Sequence, residues 1–456
     1  MTFLLLNQTF YPDVMATGQY LTEVALRLVE RGHQVTVVTS SRAYDHPETR
    51  FPKSETWRGI RIYRVGSTGF GKGARWRRAA DFASFLVLCC LRLACLRRHD
   101  AVVALTSPPL ISFLGAAWAR LHRSRFFYWV MDFNPDEAVA AGWLRPDSLA
   151  ARWLDRMSRF SLRHSAKIIA LDRFMRDRIV AKGVAPAKVP LIAPWAHDTE
   201  VKFDSTGRER FRKAHGLENK FVVMYSGNHS PCHPLDTLLA AARELAGDPS
   251  IVFCFVGGGS EWRRIQQIVA SNSAAQACPS RAATVPASPV IPSNVYAPAS
   301  LSALDVGCPT LDVPPTPATP PSSILHPPSS TLLCLPYQPL DQLSASLSAA
   351  DLHVVVMGDP FVGLVHPCKI YNVLSVGAPV LYIGPRPSHL SEILDHIGSD
   401  YPCASAVHGD VAEVVRQIQR LRRQSGVTTR QAPPPGCAAF SREALLPKLI
   451  AELESR

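Results

Sequence analysis

The stretch FLLLNQTFYPDVMATGQYLTEVALRLVERGHQVTVVTS, from Phe3 to Ser40, contains a complete strand–helix–strand pattern. Its first apolar run, Phe3–Leu6, is typical of a parallel strand that is covered on both faces. Apolar residues then repeat at helical spacing, at Leu21, Val24, Ala25, Leu28 and Val29. Thr17 is the expected N-cap of this helix, Gly32 ends it, and Gln34–Ser40 is a second strand. A crossover of this kind predicts a parallel sheet.

Further apolar runs repeat this alternation along the 456 residues, which are too many for one ordinary core. The expected strands lie at Asp100–Ser107, Phe126–Asp132, Ala166–Asp172, Phe221–Asn228, Ile251–Gly259, Asp351–Gly358 and Pro379–Gly384. We therefore predict an α/β protein with two doubly wound, Rossmann-like domains joined near Pro194–Asp198. The expected domains cover residues 1–197 and 198–430, and a helical tail covers 431–456.

One segment interrupts the second domain. Residues 271–330 contain thirteen prolines and only three charged side chains. Proline removes backbone donors and blocks both helices and central strands, so a disordered or polyproline-like insertion is expected. A shift of the reading frame within this segment explains the same composition, and the sequence leaves both explanations open.

The amino-acid composition limits the kinds of ligand or surface that the protein is expected to bind. The formal net charge is +12 and the sequence pI is about 9.3, a balance that favours anionic ligands or surfaces. Nucleic acid is not the expected partner, because no nucleic-acid-binding motif accompanies the charge. The eleven cysteines include no CxxC pair, which argues against zinc, and they are expected to be reduced, buried thiols, including Cys89, Cys90 and Cys254.

A helix between basic clusters lies within Gly71–Asp100. Its apolar part, Phe82–Leu96, is shorter than the roughly 20 residues that span a bilayer. One interpretation is a buried helix of the first domain. The other is a helix resting on an anionic membrane surface, with lipid phosphates contacted by Arg75, Arg77, Arg78, Arg97 and Arg98.

Four stretches carry a resemblance to a known family. They are YPDVMATGQYLTEVALRLVERGHQVTVVTS, MDFNPDEAVAAGWL, YSGNHSPCHPLDTLLAAARELAGDPSIVFCFVGGG, and SAADLHVVV with the following GDPFVGLVHPCKIYNVLSVGAPVLYIGP. Outside the insertion the chain resembles the retaining family-4 glycosyltransferases of the GT-B fold, and bacterial enzymes that build exopolysaccharide, O-antigen or colanic acid above all. The resemblance implies two domains facing across a cleft, with a nucleotide-sugar donor in the second and the acceptor in the first. It also implies that the tail helix crosses back onto the first domain.

The same resemblance implies donor contacts from the last of these stretches. Lys369, in the first turn of a short helix, is expected to contact the diphosphate, since cations and helix N-termini favour anions. Asn372 is expected to contact the ribose, and Gly363 to belong to the same donor loop. The family commonly has two glutamates here, where this chain has Leu364 and Asn372. The alternative is that Lys369 is simply solvated.

The family's arginine and lysine after the first strand of the second domain are replaced by Asn228 and His233. His233 helps as a cation only when protonated, and its ordinary pKa is near 6.5; the alternative is that it caps the helix after Pro234. Gly257, Gly258 and Gly259 resemble the family's donor-site glycines, although any tight exit from a strand uses glycine.

In the first domain, the resemblance implies that Gly18 lets the backbone approach the donor phosphate; otherwise it is an ordinary first-turn glycine. Asp132 ends an expected strand and would orient or deprotonate the acceptor hydroxyl, or else cap the turn at Asn134–Pro135. Met131 stands where the family frequently has a histidine. The catalytic candidates are therefore Asp132, His233 and Lys369.

The resemblance implies retaining transfer of a sugar from a nucleoside-diphosphate donor to a lipid-linked or saccharide acceptor. The resemblance implies that transfer needs no metal and no cofactor, and the expected location is cytoplasmic, peripheral at the inner face of the plasma membrane. Two other functions fit the same residues. A nucleotide-sugar epimerase or hydrolase would consume the donor alone, and a non-catalytic scaffold of a polysaccharide-assembly complex would not consume it.

Overall fold

Two parallel sheets organise the chain. The computed structural model describes residues 1–13, 15–44, 48–71, 75–197, 200–277, 331–398, 400–424 and 435–455. Most of the predicted insertion, residues 278–330, lies outside the described residues. The first seven residues of that prediction, 271–277, instead continue a helix, so the insertion was predicted to begin too early.

The first sheet has seven strands in the order β3-β4-β2-β1-β5-β6-β7. Their bounds are Thr2–Leu6 (β1), Gln34–Ser40 (β2), Ser54–Trp57 (β3), Ile60–Val65 (β4), Ala101–Ala104 (β5), Arg125–Trp129 (β6) and Lys167–Ile169 (β7). The β3–β4 pair is antiparallel, and the other strands pair in parallel. The strand order reverses between β1 and β5, and Phe3 lies opposite both Val35 and Ala101.

The second sheet has six parallel strands in the order β10-β9-β8-β11-β12-β13. Their bounds are Phe221–Asn228 (β8), Ile251–Gly258 (β9), Leu332–Leu335 (β10), Leu352–Val356 (β11), Val380–Ile383 (β12) and Cys403–Ala406 (β13). Val223 and Tyr225 belong to one apolar core, whereas Val222 and Met224 belong to another. Both faces of this sheet are therefore covered, as in a doubly wound fold.

Helices connect the strands. Those of the first domain are Ala16–Glu30 (α1), Arg75–Ala94 (α2), Ile111–Leu121 (α3), Asp136–Ala140 (α4), Leu149–His164 (α5) and Arg173–Ala181 (α6). The remaining helices are Ser205–Ala214 (α7), Asp236–Glu244 (α8), Trp262–Ala277 (α9), Leu340–Ala349 (α10), Lys369–Ser375 (α11), His389–Ile397 (α12), Val411–Gln424 (α13) and Arg442–Glu454 (α14). Short 3-10 turns lie at Pro186–Lys188, Asp359–Phe361 and Pro435–Phe440.

The last helix belongs to the first core. Leu449 and Leu453 are fully buried among residues of the first domain, and α14 packs against α1. Arg31 donates two hydrogen bonds to the Glu454 carboxylate, at 2.7 and 2.8 Å. The apolar spacing of this segment therefore serves a core that the chain left more than two hundred residues earlier.

The structure corrects three local predictions. Helix α1 begins at Ala16, so Thr17 is not its N-cap; the Thr17 hydroxyl instead lies 3.0 Å from that of Thr9. Strands β3, β4, β10 and β13 were not predicted; they lie at or near the sheet edges, where continuous apolar runs are not needed. Cys90, predicted to be buried, is exposed on α2.

Helix α2 has one buried face and one exposed face, and its contact with a membrane stays a prediction. Phe85, Cys89 and Leu93 are buried in the first core. Its outward face carries the exposed apolar side chains of Trp76, Val87, Leu88 and Leu91. Among the helices of the described residues, α2 included, none has the length and apolarity to cross a membrane.

Candidate functional site

Lys369 joins α11 to the central strand of the second sheet. Its ammonium group donates a hydrogen bond to the Tyr225 hydroxyl at 2.6 Å and lies 3.8 Å from the centre of the Tyr225 ring. A Cβ atom at Gly227 would lie 3.0 Å from the same nitrogen. Burial lowers the pKa of Lys369 to about 7. An amine that changes protonation near neutral pH therefore lies at the carboxyl end of β8, next to the point where the strand order reverses, and open α/β sheets bind their ligands there.

Glycines let the backbone turn tightly at the ends of β8 and β9. Gly257 and Gly259 have φ angles of +142° and +124°, which strongly disfavour any side chain. A side chain at Gly257 would collide with the Gly227 carbonyl, and one at Gly259 with the Asn228 side chain. Gly258 lies between them, against the Tyr337 ring. These glycines therefore shape the predicted donor edge.

His233 lies half-buried beside this edge, and its chemistry differs from the expectation. Burial, and then the charge of Lys369, hold the pKa of His233 well below its usual value, so the ring is neutral in the free protein. Its Nδ1 lies 2.8 Å from the Val356 carbonyl oxygen and must donate to it, which leaves Nε2 as an acceptor. His233 is therefore not a cation in the free protein, and it becomes one only when its ring is protonated. His233 does not cap α8 either, because that helix begins at Asp236 after Leu235.

Three other predicted donor residues are placed by the fold. The Asn228 side chain is exposed at the end of β8. Asn372 lies on α11, where its Oδ1 accepts a hydrogen bond from the His197 amide at 3.2 Å. One of the side-chain atoms predicted to contact the ribose is therefore already bonded to the segment that joins the domains. Gly363 has a φ of +72° and abuts the backbone of Phe174 in the first domain, so its absent side chain permits a contact between the domains.

Two carboxyl groups of the first domain face the second. Burial raises the pKa of Asp132 to about 6. Burial, and then the Asp132 charge, raise the pKa of Glu137 to about 8. The Glu137 carboxylate lies 3.8 Å from the Cys232 sulfur of the second domain. Burial and the repulsion between the two carboxyl groups therefore favour a state in which one of them is protonated near neutral pH.

Asp132 also lies near the residue that precedes Lys369. Burial, and then the Asp132 carboxylate, raise the pKa of the Cys368 thiol to about 12. The Asp132 amide donates to the Thr106 hydroxyl at 3.3 Å, and α4 begins only at Asp136. The neighbouring Met131, which stands where the family frequently has a histidine, is buried. The structure thus brings Asp132 close to the loop that carries Lys369.

Gly18 is the third residue of α1. A Cβ atom there would lie 3.2 Å from the Phe10 amide nitrogen and equally close to Thr9. The glycine therefore allows α1 to pack tightly on the loop after β1. Its expected approach to a donor phosphate stays a prediction.

Sequence reasoning missed Glu137, Tyr225 and His229. A signal for Glu137 was present, because MDFNPDE places it five residues after Asp132. The Tyr225–Lys369 contact joins residues 144 positions apart and has no local signal. His229 is fully buried beside Tyr225 and Trp262, and burial lowers its pKa to about 4.

The chain is similar to known glycosyltransferases. Residues 16–195 match the model of the glycosyl transferase 4-like domain. A probable glycosyltransferase, WbjE of Pseudomonas aeruginosa, is 21% identical over 328 residues, which cover 71% of this chain and 67% of WbjE. WcaI of Escherichia coli K12, a putative colanic acid biosynthesis glycosyl transferase, is 23% identical over 282 residues, 59% of this chain and 68% of WcaI.

A solved structure shows the same architecture. Anabaena HepE, crystallised with UDP and glucose, superposes with a TM-score of 0.65 at 12% identity, and the match covers 100% of both chains. This likeness confirms the predicted fold of two Rossmann-like domains. Taken with the domain match at residues 16–195 and the two relatives, it identifies the chain as a glycosyltransferase of the GT-B fold.

Proposed function

We propose that the protein transfers a sugar from a nucleoside-diphosphate sugar to a lipid-linked or saccharide acceptor in the biosynthesis of a cell-surface polysaccharide. The observation that carries the proposal is the position of Lys369 at the carboxyl end of β8, next to the Gly257–Gly259 turn. This edge offers a cation and close backbone approach to a diphosphate. The names of WbjE and WcaI, and the UDP bound to HepE, support the same class of reaction.

Lys369 would stabilise the departing diphosphate. Its depressed pKa means that an incoming diphosphate, by supplying negative charge, favours the protonated form. The protonated ammonium then lies where negative charge develops as the glycosidic bond breaks. Asn228 and the Nε2 atom of His233, once protonated, would add hydrogen bonds. Retention of configuration and independence from metal in this step are part of the proposal and follow the family resemblance.

Asp132 would act on the acceptor. Its pKa of about 6 makes it ionised at neutral pH and able to accept a proton from a hydroxyl group. Glu137, with its higher pKa, remains protonated and limits the repulsion between the two groups. The pair lies on the first domain, where the resemblance places the acceptor.

A lipid-linked acceptor would require the protein to bind at a membrane surface. The outward face of α2 carries exposed Trp76, Val87 and Leu91, and Arg97 and Arg98 lie exposed just after the helix. Exposed apolar side chains beside arginines suit the headgroup region of an anionic bilayer. The side chain of Arg75, which was expected to contribute, lies outside the described residues. We propose peripheral binding at the cytoplasmic face through α2.

The test begins with calorimetric binding of UDP, GDP, dTDP and ADP to the full chain. Binding of one nucleotide that weakens in Lys369→Ala would support the donor site and fix the nucleotide. The matching sugar nucleotides are then incubated with membrane lipid extract, and the products are analysed. Sugar on lipid or saccharide supports transfer. Donor consumption without acceptor would indicate the epimerase or hydrolase, and a folded protein that binds no nucleotide would indicate the scaffold.

A further inference from the structure

One carboxylate and two imidazoles that have no role assigned above meet between the domains. Asp172 is the N-cap of α6 in the first domain. His366 lies in the loop before α11, and His389 is the first residue of α12, both in the second domain. All three side chains are buried, with His389 only 2% exposed.

The spacing of their polar atoms suits one metal ion. His366 Nδ1 lies 2.9 Å from Asp172 Oδ2, and His389 Nδ1 lies 3.5 Å from the same oxygen. One ligand atom from each residue lies within 4.8 Å of the others. Ligands that bind zinc tetrahedrally at about 2.0–2.2 Å are about 3.3 Å apart. The two rings are nearly parallel, with centroids 4.1 Å apart, so binding would tilt them until their lone pairs converge.

The hydrogen bonds of Asp172, His366 and His389 also indicate a bound ligand. Within the described residues, neither ring nitrogen of His389 has a hydrogen-bond partner, although the side chain is buried. Buried polar atoms are almost always paired, and a metal bond would satisfy one of these nitrogens. His366 Nε2 lies 2.7 Å from the Tyr371 hydroxyl, and Asp172 Oδ1 accepts from the Met175 amide at 2.8 Å. Such outer contacts commonly orient metal ligands.

We propose that Asp172, His366 and His389 bind a divalent transition-metal ion that ties the first domain to the second. Two imidazoles and one carboxylate favour Zn²⁺ or a similar ion over Mg²⁺ or Ca²⁺, which prefer oxygen ligands. A water molecule or the second Asp172 oxygen would complete the coordination. The ion would not contact the diphosphate and would take no direct part in the transfer chemistry.

The ion has a consequence for the donor edge. His366 precedes Lys369 by three residues in the same loop. An ion that ties His366 to Asp172 would therefore fix both the angle between the domains and the loop that presents Lys369. The domains also touch without it, because Arg173 pairs with Glu392 and Arg178 donates to the Val362 carbonyl. Variants that lose the ion are consequently expected to fold.

The experiment measures metal directly, without any nucleotide, so its result is independent of the proposed transferase activity. The full chain is stripped with a chelator, dialysed against Zn²⁺ or Co²⁺, and analysed by mass spectrometry and visible absorption. We expect about one tightly bound ion per chain and the d–d bands of Co²⁺ with nitrogen ligands. We also expect the melting temperature to rise with Zn²⁺ concentration.

Two variants and a control make the test specific. Asp172→Asn keeps an oxygen for the Met175 amide but is a poor metal ligand, and His389→Gln removes an imidazole. Both should lose the bound ion and the thermal response to Zn²⁺. His353→Gln alters another buried histidine of the second domain, which bonds the Leu347 carbonyl, and should retain the ion. Absence of binding in the parent, or equal binding in Asp172→Asn and His389→Gln, would overturn the proposal and leave the trio as a hydrogen-bonded contact.

Discussion

The Lys369 ammonium group donates to the Tyr225 hydroxyl at 2.6 Å while lying over the Tyr225 ring, 3.8 Å from its centre. The phenol in turn donates to the Asn228 carbonyl at 2.7 Å. The end of β8 and the start of α11 are thereby joined through one side chain. The relationship places at the donor edge an amine that a bound diphosphate would hold in its protonated form.

Replacing Lys369 by alanine should reduce turnover about 10²-fold or more, because an electrostatic contact with a leaving group is typically worth several kcal/mol. Nucleotide affinity should fall as well. Initial rates and calorimetry measure both effects. The matched control is Lys220→Ala, at a partly exposed lysine of the same domain whose ammonium donates to the Pro249 carbonyl. Near-normal turnover in Lys369→Ala would remove this lysine from the mechanism.

The pH dependence of kcat/KM should be bell-shaped and narrow. Activity requires ionised Asp132, whose pKa is about 6, and protonated Lys369, whose pKa is about 7. The rate should therefore rise with pH through about 6 and fall above about 7. Asp132→Asn should lower the rate and remove the acidic limb. In kcat, the alkaline limb should shift to higher pH, because bound diphosphate raises the pKa of Lys369; a flat profile from pH 5 to 9 would contradict this assignment.

Replacing Glu137 by glutamine should stabilise the protein at alkaline pH. The pKa of Glu137 is raised to about 8 in the folded state, so its favourable contribution is full below its unfolded pKa and is lost as pH rises through 8. Glutamine stays neutral throughout. Denaturant unfolding at pH 9 should show Glu137→Gln more stable by on the order of 1 kcal/mol or more, with little difference at pH 4. Glu244→Gln, at an exposed glutamate of α8, should show neither effect.

Acidic substitutions on α2 should weaken membrane binding. Val87 and Leu91 are 59% and 61% exposed on its outward face, so glutamate there spares the core. Val87→Glu with Leu91→Glu should lower partitioning onto phosphatidylglycerol vesicles at least about tenfold, since each apolar side chain is worth over 1 kcal/mol on burial. Vesicle co-sedimentation gives the measurement. Val407→Glu, at a similarly exposed valine (54%) of the second domain, should bind vesicles like the parent. An equal loss of binding in this variant and in the α2 variant would contradict binding through the outward face of α2.

The sequence predicted the central strands best. Strand β8 has the predicted bounds Phe221–Asn228, because a strand covered on both faces needs a continuous apolar run. Edge strands such as Ser54–Trp57, with alternating exposed side chains, and Cys403–Ala406, with its small residues, carry no such run. Their positions follow from pairing with the neighbouring strands Ile60–Val65 and Val380–Ile383, which an apolar pattern does not record.

The candidate site was predicted in part. The start of α11 was visible from the His366-Pro367 pair and the glycine at its end, so Lys369 could be assigned to the first turn. The burial of a side chain and the charges near it could not be predicted in the same way. The neutral state of His233 and the shifted pKa of Glu137 arise from burial and from charges on other elements, which local spacing does not record.

Helix α14 determines when the first domain can complete its core during synthesis. The first core includes Leu449 and Leu453, which leave the ribosome only after the whole second domain. At about 5–20 residues per second, the interval between the end of the first domain and α14 lasts on the order of ten seconds or more. During that time the apolar surface of α1 that α14 later covers is open to chaperones. The first domain reaches its final form last, although it is made first.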